Sequence, residues 1–471
     1  MPIPVINVAQ MREWEKVTWA SGVKQEQVMR QAGAAVAAEA ARLTGDGDFV
    51  LFLAGKGHNG DDAAYAYDSI QGRRRELLRV IDPDYSGAAL ASQLSQHPSL
   101  IVDGLFGIGL NRPLSGAWMK LIEEINRADC PILSVDVPSG LSADTGLPLD
   151  VAIRASATVT FGAAKQGLLQ ATAAPFVGRI QVAREIGLVP YPFNTEVSLM
   201  AHDDFRRFPP ARPIAGHKGT FGHVAIVAGS AGYHGAAVLA ARGAQRAQPG
   251  LVTVVTHDQV YLPIAAQTQA VMVRTFATEP LLPEGATAVV VGPGLASAQI
   301  EEPLQRWLRN FWQDSPLALI VDASALAWLP AGPCSAQALR LITPHPGEAA
   351  RMLECTVMEI QRDRIAAARE LSRSWGNCYV ALKGHHTTLV RGRGEVRVNP
   401  IGNPYLAQGG SGDLLAGYLG GLLAQPHLQS QAELAIQFGV WQHAAAADAL
   451  LTEMPNFTVE DLSARLGAVR A

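Results

Sequence analysis

Apolar positions along the chain follow two different periods. Over residues 11–43 they recur at helical spacing, which predicts helices over Met11–Trp19 and Lys24–Leu43. Short, almost continuous apolar runs follow at Phe49–Ala54, Leu77–Ile81, Leu100–Val102, Ile132–Val135 and Ala157–Phe161. Runs this short, bounded by Gly, Asp and Pro, read as strands covered on both faces, with a helix beginning near Ala63 after the first of them. The alternation resumes at His223–Ala228, Leu251–Thr256, Ala288–Val291, Ala318–Val321, Leu341–Thr343 and Tyr379–Leu382, with an Ala-rich helix running to about Ala247 and another over Leu414–Leu423. Strands that alternate with helices predict parallel sheets of the α/β class. Residues 190–213 carry Pro and charge without a period and read as a linker, with a boundary near Ser198. Two domains are expected, 1–198 with a Rossmann-like doubly wound sheet and 199–471 with a second α/β array.

The polar breaks in this pattern fall at strand ends. In the first half these are Gly55–Asp62, Asp103–Pro113 and Asp136–Leu141. In an open parallel sheet the carboxyl ends of strands share one edge, where ligands bind. The first loop lacks the Gly-Lys-Ser/Thr ending of a Walker loop; Gly55, Gly57 and Gly60 fit the letters of GxGxxG, but no acidic ribose partner is evident. Asn59, Asp61 and Asp62 suit either a cation and ribose hydroxyls or a plain turn. In the second half the loops after the strands contain Gly229–Ala237, Gly292–Gly294, Asp322, Pro344–Glu348 and Lys383–Gly384. The most marked stretch is Gly402–Gly417, in which Gly409, Gly410 and Gly412 precede Asp413 and an apolar helix. Its backbone amides and helix dipole suit a phosphate. Asp413 is then either the helix N-cap or a general base beside an anion hole.

Composition narrows the field. Thirty-eight basic residues stand against 42 acidic ones, which argues against a polyanion-binding surface. Cys130, Cys334, Cys355 and Cys378 are far apart and form no CxxC pair, so neither a zinc knuckle nor a redox pair is indicated. No apolar run is long enough for a bilayer, and charge comes too early for a signal peptide. A cytoplasmic protein that binds neither nucleic acid nor membrane is expected.

Taken together, GKGHNGDD, DGLFGIGL and VDVPSGLSADTG over roughly residues 1–195 resemble the epimerase half of the bifunctional NAD(P)H-hydrate repair enzyme family. HKG, GSxGxxGAA, GPG, TPHPGE, LKG and GNPxxAxGGSGD over 199–471 resemble its ADP-dependent dehydratase half, which has a ribokinase-like fold. For the first half the resemblance implies hydrate binding by His58, Asn59, Gly60, Asp61 and Asp62, by the loop Gly107, Ile108, Gly109, Leu110, Asn111, Arg112 and Pro113, and by Asp136. It also implies a potassium ion on Asn59, Asp103 and Ser139. For the second half it implies hydrate binding by Ala236, Gly294, His345 and Asp413. Adenine-nucleotide binding would fall to Lys383, Gly384, His385, His386, Thr387, Asn403, Pro404, Tyr405, Leu406, Ala407 and Gly412. The chain departs from the family pattern at His58, Asp61, Ala63, Ser324, Tyr405, Leu406 and Gln408.

The expected activities are interconversion of R and S NADHX or NADPHX and dehydration of the S form with ADP and magnesium, releasing AMP and phosphate. Asp136 is the candidate proton shuttle of the first domain, or else the cap of the PSG turn; Asp413 is the candidate base of the second. His345 either positions a ligand or bonds its own loop, and Lys383 either steers phosphate or is a surface lysine. His385 and His386, read as strand neighbours, point to opposite faces and form no metal pair. Trp307, Phe311 and Trp312 read as helix packing, and Arg73–Arg75 as a solvated turn. A homo-oligomer is expected. The layout also allows an alternative, a small-molecule hydroxyl kinase with a non-catalytic N-terminal binding module.

Overall fold

A computed structural model describes residues 2–296, 302–334 and 338–470. The chain divides into two compact units, Ile3–Leu199 and a second that runs from Met200.

In the first unit six strands form one parallel sheet in the order Arg74–Arg79, Phe49–Ala54, Leu100–Gly104, Ile132–Val135, Ala157–Phe161, Arg179–Ala183. The chain moves from Phe49–Ala54 to one side and then returns to build on the other. The order therefore reverses between Phe49–Ala54 and Leu100–Gly104, the position where doubly wound sheets open a crevice. Helix Gln25–Leu43 covers one face through Val28, Ala32, Val36 and Ala40, and helix Gly116–Asn126 belongs to the core cluster of the other. Strand Ile3–Ile6 pairs in parallel with Ala164–Lys165 and antiparallel with Val197–Leu199. Part of the expected linker is thus a strand, because its apolar residues pair with the start of the chain. Arg73–Arg75 is not a solvated turn: Arg74 and Arg75 open a strand, and Arg73 donates to the carbonyls of Ala41 and Thr44 at the end of helix Gln25–Leu43.

In the second unit nine strands of the described residues run Met272–Phe276, Leu251–His257, His223–Val227, Ala288–Val291, Ala318–Val321, Arg340–Ile342, Tyr379–Leu382, Thr388–Arg391, Val396–Val398. The first seven are parallel, Thr388–Arg391 runs antiparallel to Tyr379–Leu382, and Val396–Val398 runs antiparallel to Thr388–Arg391. Here the order reverses between His223–Val227 and Ala288–Val291. Helix Glu302–Asp314 buries Trp312, and Trp307 stacks on Phe311 at 4.9 Å, as its apolar spacing predicts. Its C-terminal end is closed by Arg340, a fully buried guanidinium that donates to the carbonyls of Trp312, Ser315 and Leu317. Among the described residues no helix is long and apolar enough to cross a membrane.

The helix Ser411–Leu423 is buried around almost its whole circumference, which its uniform run of Leu, Ala and Gly requires. It crosses helix His234–Arg246 at backbone contact: a Cβ on Gly417 would lie 1.9 Å from the carbonyl oxygen of Ala240. Gly417→Ala is therefore expected to force the two helices apart and cost about 1–3 kcal/mol, read as a lower urea midpoint. An unchanged midpoint would show that the crossing can relax freely.

Candidate active sites

At the carboxyl edge of the first sheet a cleft of ≈ 750 Å³ opens at the order reversal. Its walls are the residues after Phe49–Ala54, the loop after Leu100–Gly104, and the two N-terminal helices. Of the positions singled out in the sequence, His58, Asn59, Asp62, Gly107–Arg112 and Asp136 line it. Gly60, Asp61 and Pro113 are not among the lining residues. The reason is local. The helix expected near Ala63 begins at His58, so residues 58–62 are already helical and radiate in different directions. Asp61 faces Arg79, 3.8 Å away, and Gly60 abuts the carbonyl of Gly55. The substitutions at His58 and Asp61 thus have different consequences, because only His58 faces the cleft.

Asp136 follows strand Ile132–Val135 with φ +61°, a left-handed conformation that turns its side chain back over the sheet edge. The carboxylate accepts from Lys165 Nζ at 2.5 Å, Thr160 Oγ1 at 3.0 Å and the Phe161 amide at 3.2 Å. These bonds, rather than a cap on the following turn, fix its orientation. Lys165 is completely buried and also donates to Thr160 Oγ1 and the Phe161 carbonyl. Sequence reasoning missed Lys165; the only signal was a lysine inside the apolar, small-residue run after Phe161. It also missed Glu15, which reaches the same cleft from the first helix. Burial, and then the Asp136 charge, push the Glu15 carboxyl above its ordinary range.

Below the cleft floor, Asp103 is wholly buried and accepts from Ser134 Oγ, Ser139 Oγ, the Ser139 amide and the Leu105 amide. Ser139 Oγ also lies 2.8 Å from the Phe106 amide, and Asn59 Nδ2 donates to the Phe106 carbonyl at 2.8 Å. Ser139 thus bridges Asp103 and Phe106, and Asn59 meets Phe106 from the other side, so the three residues singled out for a cation converge on the Asp103–Phe106 segment. Burial raises the Asp103 carboxyl, opposed by its four hydrogen bonds. An all-oxygen set around a buried carboxylate fits a hard cation. Among the described residues, no three His, Cys, Asp or Glu side chains converge as a metal site.

In the second unit the order reversal brings together Ala236 and Gly294. A Cβ on Gly294 would sit 3.0 Å from that of Ala236, and Ser230 Oγ holds the Gly294 carbonyl at 2.7 Å. Along the same edge, Lys383 is not a surface lysine but is paired with the buried Asp322 at 2.5 Å. Thr343 Oγ1 also donates to Asp322, at 2.6 Å. Burial alone would lower the Lys383 ammonium; the carboxylates of Asp322, Glu348 and Asp413 hold it above its ordinary value. Gly412 faces this ammonium across 3.1 Å from where a Cβ would stand.

The N-cap of helix Ser411–Leu423 is Gly410, with φ +95°, so Asp413 is not the cap but the third helical residue. Its first-turn amides have no intrahelical partner and point out of the helix end. Burial, then Asp322, push the Asp413 carboxyl up to about 6, against the pull of Lys383. Under the loop, Ser411 Oγ meets His443 Nε2 at 3.4 Å; burial pushes this imidazole down to about 4, so it is neutral at pH 7. His443 carried no signal in a helix of alanines.

His345 bonds its own loop through one ring nitrogen: it caps helix Pro346–Met352, its Nδ1 accepting from the Gly347 and Glu348 amides. Its Nε2 lies 3.4 Å from Glu348 Oε1 on the exposed side of the ring. His385 and His386 are a hairpin turn, not strand residues: Gly384 has φ +131° and His386 φ +57°, and the two rings lie 3.8 Å apart. They sit side by side rather than on opposite faces. Thr387 Oγ1 donates to the Gly384 carbonyl. Asn403 donates to Asp448 at 3.0 Å and caps the short turn Pro404–Leu406. Tyr405 stands half exposed on that turn, between Asn403 and the Ala407–Gly410 loop, with its ring 6.3 Å from Phe457.

Known proteins resemble both halves of the chain. A family model described as NAD(P)H-hydrate dehydratase matches residues 224–466, and one described as YjeF-related protein N-terminus matches residues 74–167. The bifunctional NAD(P)H-hydrate repair enzyme of Coxiella burnetii is 33% identical over 93% of this chain and 93% of its own. That of Vibrio cholerae is 37% identical over 78% of this chain and 73% of its own. The crystal structure of an ADP/ATP-dependent NAD(P)H-hydrate dehydratase from Bacillus subtilis, co-crystallised with ATP and Mg2+, covers 57% of this chain and 95% of its own, with 29% identity and a TM-score of 0.51. The chain belongs to the bifunctional NAD(P)H-hydrate repair enzyme family.

Proposed function

We propose that the chain repairs hydrated NADH and NADPH with two active sites, an epimerase in residues 1–198 and an ADP-dependent dehydratase in residues 199–471. The observation that carries the reading is Asp413, a carboxyl raised to about 6 at the amino end of a buried helix, beside the Lys383–Asp322 pair. Such a group is ionised at pH 7 yet basic enough to take a proton. In the dehydratase, Asp413 removes the proton from the C6 hydroxyl of the S hydrate. The oxygen attacks the β-phosphorus of ADP and AMP departs, while Lys383 and the first-turn amides of the GGSG loop receive the developing charge. Phosphate then leaves C6, pushed by the ring nitrogen lone pair, and loss of a C5 proton restores the dihydronicotinamide. The carboxylates of Asp322, Glu348 and Asp413 outnumber the one ammonium they surround, which suits magnesium carried in on the nucleotide phosphates. When bound, that ion neutralises phosphate charge. Ala236, Gly294 and His345 would hold the hydrate, and Lys383–Thr387 with Asn403–Ala407 and Gly412 the nucleotide.

In the first site Asp136, oriented by Lys165, exchanges a proton with the C6 oxygen. Asn59, Asp103 and Ser139 would hold potassium, which ties three loops together rather than doing redox work. Product analysis tests the reading: with the S hydrate and ADP, inorganic phosphate and AMP should appear together, whereas a stable phosphorylated product would identify a kinase. Loss of epimer equilibration when potassium is replaced by lithium would support the cation site. We also propose a cytoplasmic homo-oligomer, for which a monomeric mass by light scattering would be the contrary result.

A further inference from the structure

Of the carboxyls that line the first cleft, Glu15, Asp62 and Asp136, only Asp136 takes part in the chemistry proposed above. Asp62 is 8% exposed and lines the cleft, yet its Oδ1 has no hydrogen-bond partner. A buried carboxylate left unpaired is costly, so the group must either hold a proton or meet a ligand. Burial and then the carboxylates of Asp136, Asp61 and Glu15 push Asp62 well above the usual range, with Lys165 opposing. Asp103, the acidic member of the cation set, is not among these charges. Asp136, equally buried in the same cleft, differs in its partners, since its Oδ1 accepts from an ammonium, a hydroxyl and a backbone amide. Two carboxyls of one cleft, on different elements and in opposite environments, are the arrangement that divides acid from base work.

We propose that Asp62 is the proton donor of the epimerase, acting as the partner of Asp136. The inference rests on the epimerase reading above and assigns the roles within it. Asp62 gives its proton to the C6 hydroxyl; the C6–O bond breaks, water departs, and the ring nitrogen lone pair forms the iminium. Water then adds to C6 from the other face, its oxygen forming the new bond while Asp136 takes the surplus proton. Protons balance: one leaves Asp62 and one arrives on Asp136, and the reverse direction begins from that second form. Every inversion therefore exchanges the C6 oxygen with solvent.

The test uses the full chain without nucleotide, with the pure R or S hydrate in [18O]water. The wild-type chain should equilibrate the epimers and incorporate one solvent oxygen per inversion. Asp62→Asn should lower the rate by about 100-fold or more. Asp62→Ala should be similarly slow and recover with added formate, a recovery that loss of a structural carboxyl would not show. Inversion by the wild type without oxygen exchange, Asp62→Asn at the wild-type rate, or no rescue by formate would each overturn the assignment. A wild-type chain that fails to equilibrate the epimers would instead remove the epimerase reading itself.

Discussion

Asp413→Asn is expected to abolish dehydration, with kcat falling by about 10²–10⁴-fold while nucleotide still binds. The amide keeps the shape of the side chain, and the glycine turn and first-turn amides that would meet phosphate are backbone features. What disappears is the proton acceptor. In the wild type the same group sets a pH dependence. Because burial and Asp322 raise Asp413 to about 6, its basic form is complete above that value and is lost as pH falls through it. Activity should therefore decline about tenfold per unit below about pH 6, and Asp413→Asn should show no such limb in its residual rate. Full turnover in Asp413→Asn, with nucleotide affinity measured by titration calorimetry, would take this residue out of the mechanism.

Lys165→Met should have the largest effect on stability. Methionine fills most of the space, but it leaves the nearly buried Asp136 carboxylate without its cation, and removing one partner of such a pair costs about 3–5 kcal/mol. The double variant Lys165→Met, Asp136→Leu should regain much of the loss, because no buried charge remains, and should still lack epimerisation. Urea unfolding of the three proteins at pH 5 and pH 8 measures this. A single variant as stable as wild type at pH 8 would mean that water reaches the pair freely.

The α/β architecture was legible because strands covered on both faces read as unbroken apolar runs. Phe49–Ala54, Ile132–Val135, Ala157–Phe161, Ala288–Val291, Ala318–Val321 and Tyr379–Leu382 fall where the pattern put them. Loop-to-helix boundaries were not legible. Polar residues at 58–62 look like a loop, but Gly57 starts the helix there, and the faces of Gly60 and Asp61 follow from that start. Strand order needs tertiary pairing, so the two reversals that bring the 55–62 segment to the 105–113 loop, and Ala236 to Gly294, could be anticipated only as a shared edge. Side chains that matter through their partners were silent in one dimension. Lys165 and His443 lie 29 and 32 residues from the groups they touch. Asp413 drew attention because the glycine run before it marks a helix start, although the charges that act on it, Asp322, Lys383 and Glu348, are distant in sequence.

The most direct measurement is the absorbance of restored dihydronicotinamide when full-length protein meets an R and S mixture of hydrated NADH with magnesium. Addition of ADP should start a rise that proceeds past the S fraction to completion, because the first site keeps resupplying the S form, with one phosphate released per NADH. No rise, or a rise without free phosphate, would contradict the account.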